Sequence, residues 1–151
     1  MTRNSPELSA RAREIALELT SWSSVTGTPG EAAFAQRLQD YLRLKGFDEG
    51  LSLSVDSGPN PRGNIAVLKR GRSARTVVLT GHFDTVSYDD YGALTDLALD
   101  AEALTISITS RLRESGENKL AMQDFESGEF LAGRGLLDMK AGLAAGLAAM
   151  E

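Results

Sequence analysis

Apolar positions recur at helical spacing in two N-terminal stretches. Leu8, Ala12, Ile15, Ala16 and Leu19 lie three and four residues apart and predict a first helix. Ser5 is its candidate N-cap, Pro6 sits at the first helical position, and Glu7 favours the positive end of the dipole. The pattern fades near Ser21 or Trp22. Thr28-Pro29-Gly30-Glu31 then has the form of a capping box, with Thr28 as cap and Glu31 three residues on. A second helix follows from about Pro29 to Lys45. Its apolar face is Ala33, Phe34, Leu38, Tyr41 and Leu42, and Gly46 is its stop.

The period then changes. Leu51-Ser52-Leu53-Ser54-Val55 alternates as a strand does. Gly58, Pro59, Asn60 and Pro61 mark a turn, and Asn64 to Leu68 reads as a second strand. Gly71 to Ala74 is another turn. Thr76 to Thr80 is apolar on both faces, as a central strand covered on two sides would be. Beyond it, Asp100 to Glu114 fits a helix capped by Asp100, with Leu104, Ile108 and Leu112 four apart. The β-branched run 104–109 competes for strand. Glu114 to Ser127 is polar and reads as an exposed loop, and Phe130-Leu131 as a short strand. Asp138 to Glu151 predicts a helix whose alanines and glycines suit close packing against a sheet. The order of elements makes this an α/β chain.

Composition narrows the function classes. At 151 residues the chain suits one compact domain. Its formal net charge of −5 argues against nucleic acid as a partner, which needs clustered Lys and Arg. The short basic runs Lys69-Arg70-Gly71-Arg72 and Arg111-Leu112-Arg113 read as solvated faces. The absence of cysteine excludes disulfides and thiolate metal sites. No stretch approaches the roughly 20 apolar residues of a membrane span. The N-terminus lacks the apolar core of a signal peptide. The expectation is a cytoplasmic protein with no membrane partner. No C-cap follows Met150, which suggests a chain cut within a larger domain.

Two segments carry the chemistry. Gly81-His82-Phe83-Asp84-Thr85-Val86 follows the third predicted strand, and Gly133-Arg134-Gly135-Leu136-Leu137-Asp138-Met139-Lys140 opens the last predicted helix. Strand-to-helix edges are where open α/β sheets build their sites. In an extended segment, His82 and Asp84 face one side. Asp84 could then accept from one ring nitrogen and leave the other free for a metal. The plainer reading is a surface histidine near a turn. Asp138 is either an N-cap or a carboxylate able to bridge two metal ions. Imidazole and carboxylate without thiolate suit zinc, cobalt or manganese. Gly133 and Gly135 permit close backbone approach; as a phosphate cradle they lack the Lys-Ser/Thr of a P-loop. Tyr88-Asp89-Asp90-Tyr91 reads as a solvated loop outside the site. His82 is the only histidine in the sequence, so a site needing two cannot be completed here.

In combination, the His82-Phe83-Asp84 and Gly133-to-Lys140 segments resemble the two N-terminal motifs of the co-catalytic zinc aminoacylase and carboxypeptidase-G superfamily. The lead-in fits too: an N-terminal helix, a Thr-Gly-Thr-Pro-Gly-Glu turn, a helix ending in Lys-Gly-Phe, and Gly-Asn-Ile-Ala-Val before the His82 strand. The stretch His82 to Gly92 looks most like an arginine-utilisation branch. The resemblance implies the N-terminal portion of a three-layer αβα zinc-peptidase-like catalytic domain, with a central mixed sheet, spanning 1–151. The His82-to-Asp138 spacing is longer than in most of the family, so 88–129 looks like an insertion.

The resemblance further implies metal-assisted hydrolysis of an amide bond in an N-acyl amino acid or small peptide. His82 would be a metal ligand, Asp84 its catalytic orienter and Asp138 the bridging ligand, with two zinc ions per complete site. The family's glutamate base, its later acidic ligand, its second histidine and its dimerisation domain would all lie beyond residue 151. This chain alone is therefore expected to be inactive and to hold zinc weakly. The alternative is a non-catalytic fragment or pseudoenzyme acting through protein contacts, for which self-association into a homo-oligomer is expected.

Overall fold

A computed structural model describes residues 5–57 and 62–151. The expected turn at Gly58-Pro59-Asn60-Pro61 and the first four residues lie outside the described residues. Helices dominate: α1 (Ser5–Thr20), α2 (Pro29–Leu44), α3 (Ala101–Ser115), α4 (Lys119–Glu126) and α5 (Ala141–Met150). A short 3-10 run covers Asp89–Leu97. Strands β1 (Ser52–Val55) and β2 (Gly63–Ala66) form an antiparallel pair in which Leu53 faces Ile65. The molecule is α/β, and among the described residues its sheet has two strands.

The core lies where α1, α2 and α5 meet. Ile15, Leu19, Trp22, Phe34, Leu38, Leu42, Phe47, Ala144 and Ala148 form one buried cluster. Trp22 meets the edges of Phe34 and Tyr41 at 5.4 and 5.8 Å between centroids. These aromatics bury large areas and pack the α1–α2 joint against α2. α2 turns its Phe34, Leu38 and Leu42 stripe inward as the sequence implies, but Ala35 is buried and Ala33 exposed.

The capping box is rearranged. Thr28 Oγ1 donates to the Val25 carbonyl at 2.6 Å instead of capping α2. The Glu31 carboxylate accepts from the Gly27 N–H at 2.7 Å, one residue earlier than a capping box requires. Both groups tighten the α1–α2 joint.

Three expected elements differ. Thr76 to Thr80 forms no strand and is exposed throughout, with Val77 and Val78 at 84% and 80%. A strand needs a neighbour to take its N–H and C=O groups. Among the described residues β2 pairs with β1 alone, and a cleft of about 400 Å³ separates β2 from Leu79–Asp84. Residues 114–127 are not a loop. Asn118 caps α4 by accepting from Ala121 N–H at 3.3 Å, and Arg113 pairs with Glu126 at 2.6 Å, docking α4 on α3. Phe130-Leu131 is not a strand, and Phe130 is half exposed.

α3 settles the contested stretch 104–109 as helix. Asp100 caps it through Ala103 N–H at 3.0 Å, and the Thr105 and Thr109 hydroxyls bond back to carbonyls four residues earlier. That satisfies the hydroxyls within the helix and removes the main objection to β-branched residues there. α5 begins at Ala141, three residues later than expected, because Asp138 and Met139 have non-helical backbone angles. Its small residues pack mainly on α1 rather than on a sheet. Its other side approaches the His82 segment: a Cβ on Gly146 would sit 3.4 Å from Leu79 Cδ1.

Candidate metal-binding site

The His82 segment is positioned by the joint between α1 and α2. Thr85 N–H donates to the Ser24 carbonyl at 3.0 Å, and Thr26 N–H donates to the Thr85 carbonyl at 2.9 Å. Together they form a parallel bridge between Val25 and Thr85. Ser24 Oγ donates to the Phe83 carbonyl at 2.6 Å. Between these bonds Phe83 stacks on Phe34 at 4.7 Å and 17°. Successive side chains of an extended segment alternate, so burying Phe83 turns His82 and Asp84 to the open side.

The Asp138 turn comes from the other direction. Gly135 takes φ +74°, which only glycine adopts freely, and a Cβ there would meet Thr85 Cγ2 at 2.4 Å. The turn closes with Lys140 N–H donating to the Gly135 carbonyl at 2.8 Å. Asp138 is thereby lifted into solvent opposite His82 rather than capping α5.

All three residues singled out in the sequence converge. His82 Nδ1 lies 3.2 Å from Asp84 Oδ1, and His82 Nε2 lies 3.0 Å from Asp138 Oδ1. Slight burial lowers the imidazole pKa. The Asp84 carbonyl, the Asp138 hydrogen bond and both carboxylate charges outweigh it, leaving His82 above its ordinary value. The group faces a pocket of about 280 Å³ shared with Thr26, Thr85 and Arg134. Its side chains are open to solvent, Asp138 most of all at 83%.

The donor set suits a borderline cation: one imidazole, one carboxylate, no thiolate. A tetrahedral ion bound at roughly 2.0–2.2 Å by both would hold the two donors about 3.3–3.6 Å apart. His82 Nε2 and Asp138 Oδ1 stand 3.0 Å apart in a direct hydrogen bond, so an ion would replace that bond and part the two donors slightly. Among the described residues, no group of three or more His, Cys, Asp or Glu side chains is arranged to hold a metal ion. The site offers two donors and an orienting carboxylate.

Three participants were not singled out by sequence. Thr26 Oγ1 donates to Asp84 Oδ2 at 2.9 Å, leaving Oδ1 for His82. It lies 58 residues away, and nothing local signals it. Arg134 lies across the pocket, stacked over Tyr91 at 4.8 Å and paired with Asp90, whose carboxyl it holds below the usual range. Its position between two glycines of the motif was the available signal. Lys140 is completely buried, with its pKa pushed down to about 8 by desolvation.

Comparison with known proteins gives two relatives, both from Bacillus subtilis (strain 168). The chain is 35% identical to Protein RocB over 145 residues, 91% of this chain and 25% of that protein. It is 34% identical to Uncharacterized protein YqjN over 136 residues, 88% of this chain and 24% of that protein. The chain thus spans about a quarter of the length of these curated relatives. No family model matches it, and no solved structure does. Among the described residues, no helix is long and apolar enough to cross a membrane.

Proposed function

We propose that this chain is the opening segment of a zinc-dependent amidohydrolase of three-layer αβα architecture, hydrolysing an amide bond in an N-acyl amino acid or small peptide. The observation that carries the reading is the single imidazole held between two carboxylates, 3.2 and 3.0 Å away, over an open pocket. The similarity to two proteins about four times longer supports an incomplete unit.

His82 Nε2 and Asp138 would hold the ion. Zinc, or cobalt or manganese in its place, would supply Lewis acidity and an acidified water when bound. The protein's own residues set the geometry. His82 Nδ1 donates to the Asp84 carbonyl at 3.3 Å with the Asp84 carboxylate beside it at 3.2 Å, which would fix the tautomer and leave Nε2 to bind the ion. Thr26 prevents Asp84 from rotating away. Asp138 stands in a turn whose shape Gly135 and Lys140 determine. No glutamate within the described residues joins this group to serve as base. A segment with two donors is expected to bind zinc weakly and to be inactive alone.

Zinc titration followed by calorimetry, and in the wild-type chain also at the His82 ring, tests this. Binding weaker than micromolar, lost in His82→Ala, is the expected result. Nanomolar affinity would overturn the incomplete-site reading, and no response at all would overturn the metal reading.

A second reading is a non-catalytic unit acting through protein contacts. It is favoured by one observation, the unpaired apolar run Val77-Val78-Leu79, exposed at 84%, 80% and 57%. An exposed apolar patch of this kind marks a contact surface. Concentration-dependent association in sedimentation, abolished by Val78→Lys, would support it; a monomer at all concentrations would remove it.

A further inference from the structure

Lys140 has no task in the chemistry above, yet its surroundings are unusual for a lysine. It is 0% exposed. Its ammonium donates to the Trp22 carbonyl at 2.7 Å and sits 4.8 Å from the centre of the Phe34 ring. Desolvation alone perturbs it, with no carboxylate facing it among the described residues. A buried cation without a counter-ion is a poor stabiliser, and a well-packed apolar side chain would hold the fold more cheaply.

What this ammonium touches is informative. Trp22 leads into the α1–α2 joint that grips Thr85. Phe34 is the ring on which Phe83 stacks, and Phe83 stands between His82 and Asp84. At its other end, the Lys140 backbone closes the turn that carries Asp138. The stem runs beside Gly135, where an added Cβ would come within 3.4 Å of Lys140 Cε. One side chain therefore spans both halves of the site. We propose that Lys140 is a positioning residue that sets the separation of His82 and Asp138 by tying the Asp138 turn to the Trp22 carbonyl and the Phe34–Phe83 stack. The proposal rests on reading these two residues as metal donors.

Because His82 is the only histidine, its ring nitrogens give one set of resonances that reports the site directly. The test compares the wild-type chain, Lys140→Met and Phe47→Ala, first without metal and then during zinc titration. Phe47→Ala removes a buried ring beyond the C-terminal end of α2 and serves as the stability control. Lys140→Met is expected to move the metal-free His82 resonances and to weaken zinc binding roughly ten-fold. Phe47→Ala should leave both near wild type although it too destabilises the fold. Should Lys140→Met not fold, Lys140→Gln, which keeps a donor for the Trp22 carbonyl, takes its place with a smaller change in the same direction. Wild-type resonances and affinity in the folded Lys140 variant, or an equal change in Phe47→Ala, would overturn the proposal. Failure of the metal reading looks different: zinc leaves the wild-type resonances unmoved, while the metal-free difference at Lys140 persists.

Discussion

Two consecutive pieces of chain, Thr76–Thr80 and Gly81–Thr85, invite comparison. The first is the more hydrophobic, and it is exposed along its whole length. The second is more polar, and it is held at Phe83 and Thr85 by Ser24, Thr26 and Phe34. Apolar composition creates a demand for burial, but the supply comes from whichever elements stand nearby. The α1–α2 joint offers backbone groups and an aromatic face to Gly81–Thr85. Nothing among the described residues offers a ladder to Thr76–Thr80.

The largest test of that contrast sets Phe34→Ala against Val78→Ala. Phe34 is 1% exposed, stacks on Phe83 and meets Trp22 edge-on, so its truncation should lower stability by about 3–5 kcal/mol in urea unfolding. Val78, 80% exposed, should change it by no more than about 0.5 kcal/mol. A large loss at Val78 would mean that the first piece is buried in solution. Next in size is Gly135→Ala. It adds backbone strain at φ +74° to a 2.4 Å contact with Thr85, and should cost about 2–3 kcal/mol in the same measurement. A neutral result would mean that the Asp138 turn is not packed on the held segment.

The smallest expected effect is a pH dependence. Lys140 has a folded pKa of about 8, below its ordinary 10.5, so the unfolded chain binds more protons between these values. Stability should therefore rise as pH climbs from about 8 to 10.5. The gain should be on the order of 1–2 kcal/mol, less than the full shift implies, since the Trp22 carbonyl and the Phe34 ring both favour the charged form. Thermal unfolding across this range should show the slope in wild type and lose it in Lys140→Met.

The contrast also explains what was legible in the sequence. α1, α2 and α3 announce themselves through helical periodicity and caps, because those signals are local. β1 and β2 were readable because each carries its own apolar alternation and finds its partner close by in the sequence. Thr76–Thr80 was misread because apolarity reports a preference and not a neighbour. α4 was missed because its marker, Asn118 at φ 46°, looks in sequence like one more loop residue. For the site, His82, Asp84 and Asp138 stood out by residue type and context, and the fold brings them within hydrogen-bonding distance. Thr26 and the course of Lys140 were invisible, since each depends on contacts across dozens of residues.

The ion pair between Asp90 and Arg134 has a consequence for how this chain can change over generations. The polypeptide leaves the site at Asp90, builds α3 and α4, and returns to within bonding distance of its point of departure. Arg134 N–H also takes the Ala98 carbonyl at 2.9 Å, so the exit and return are stitched together twice. The entropy of closing such a detour grows only with the logarithm of its length, about 0.6 kcal/mol for each doubling. Length can thus be added at the exposed α3–α4 end of the detour at little cost, while buried Ala98, Ala101 and Leu104 must stay where they are beside the site.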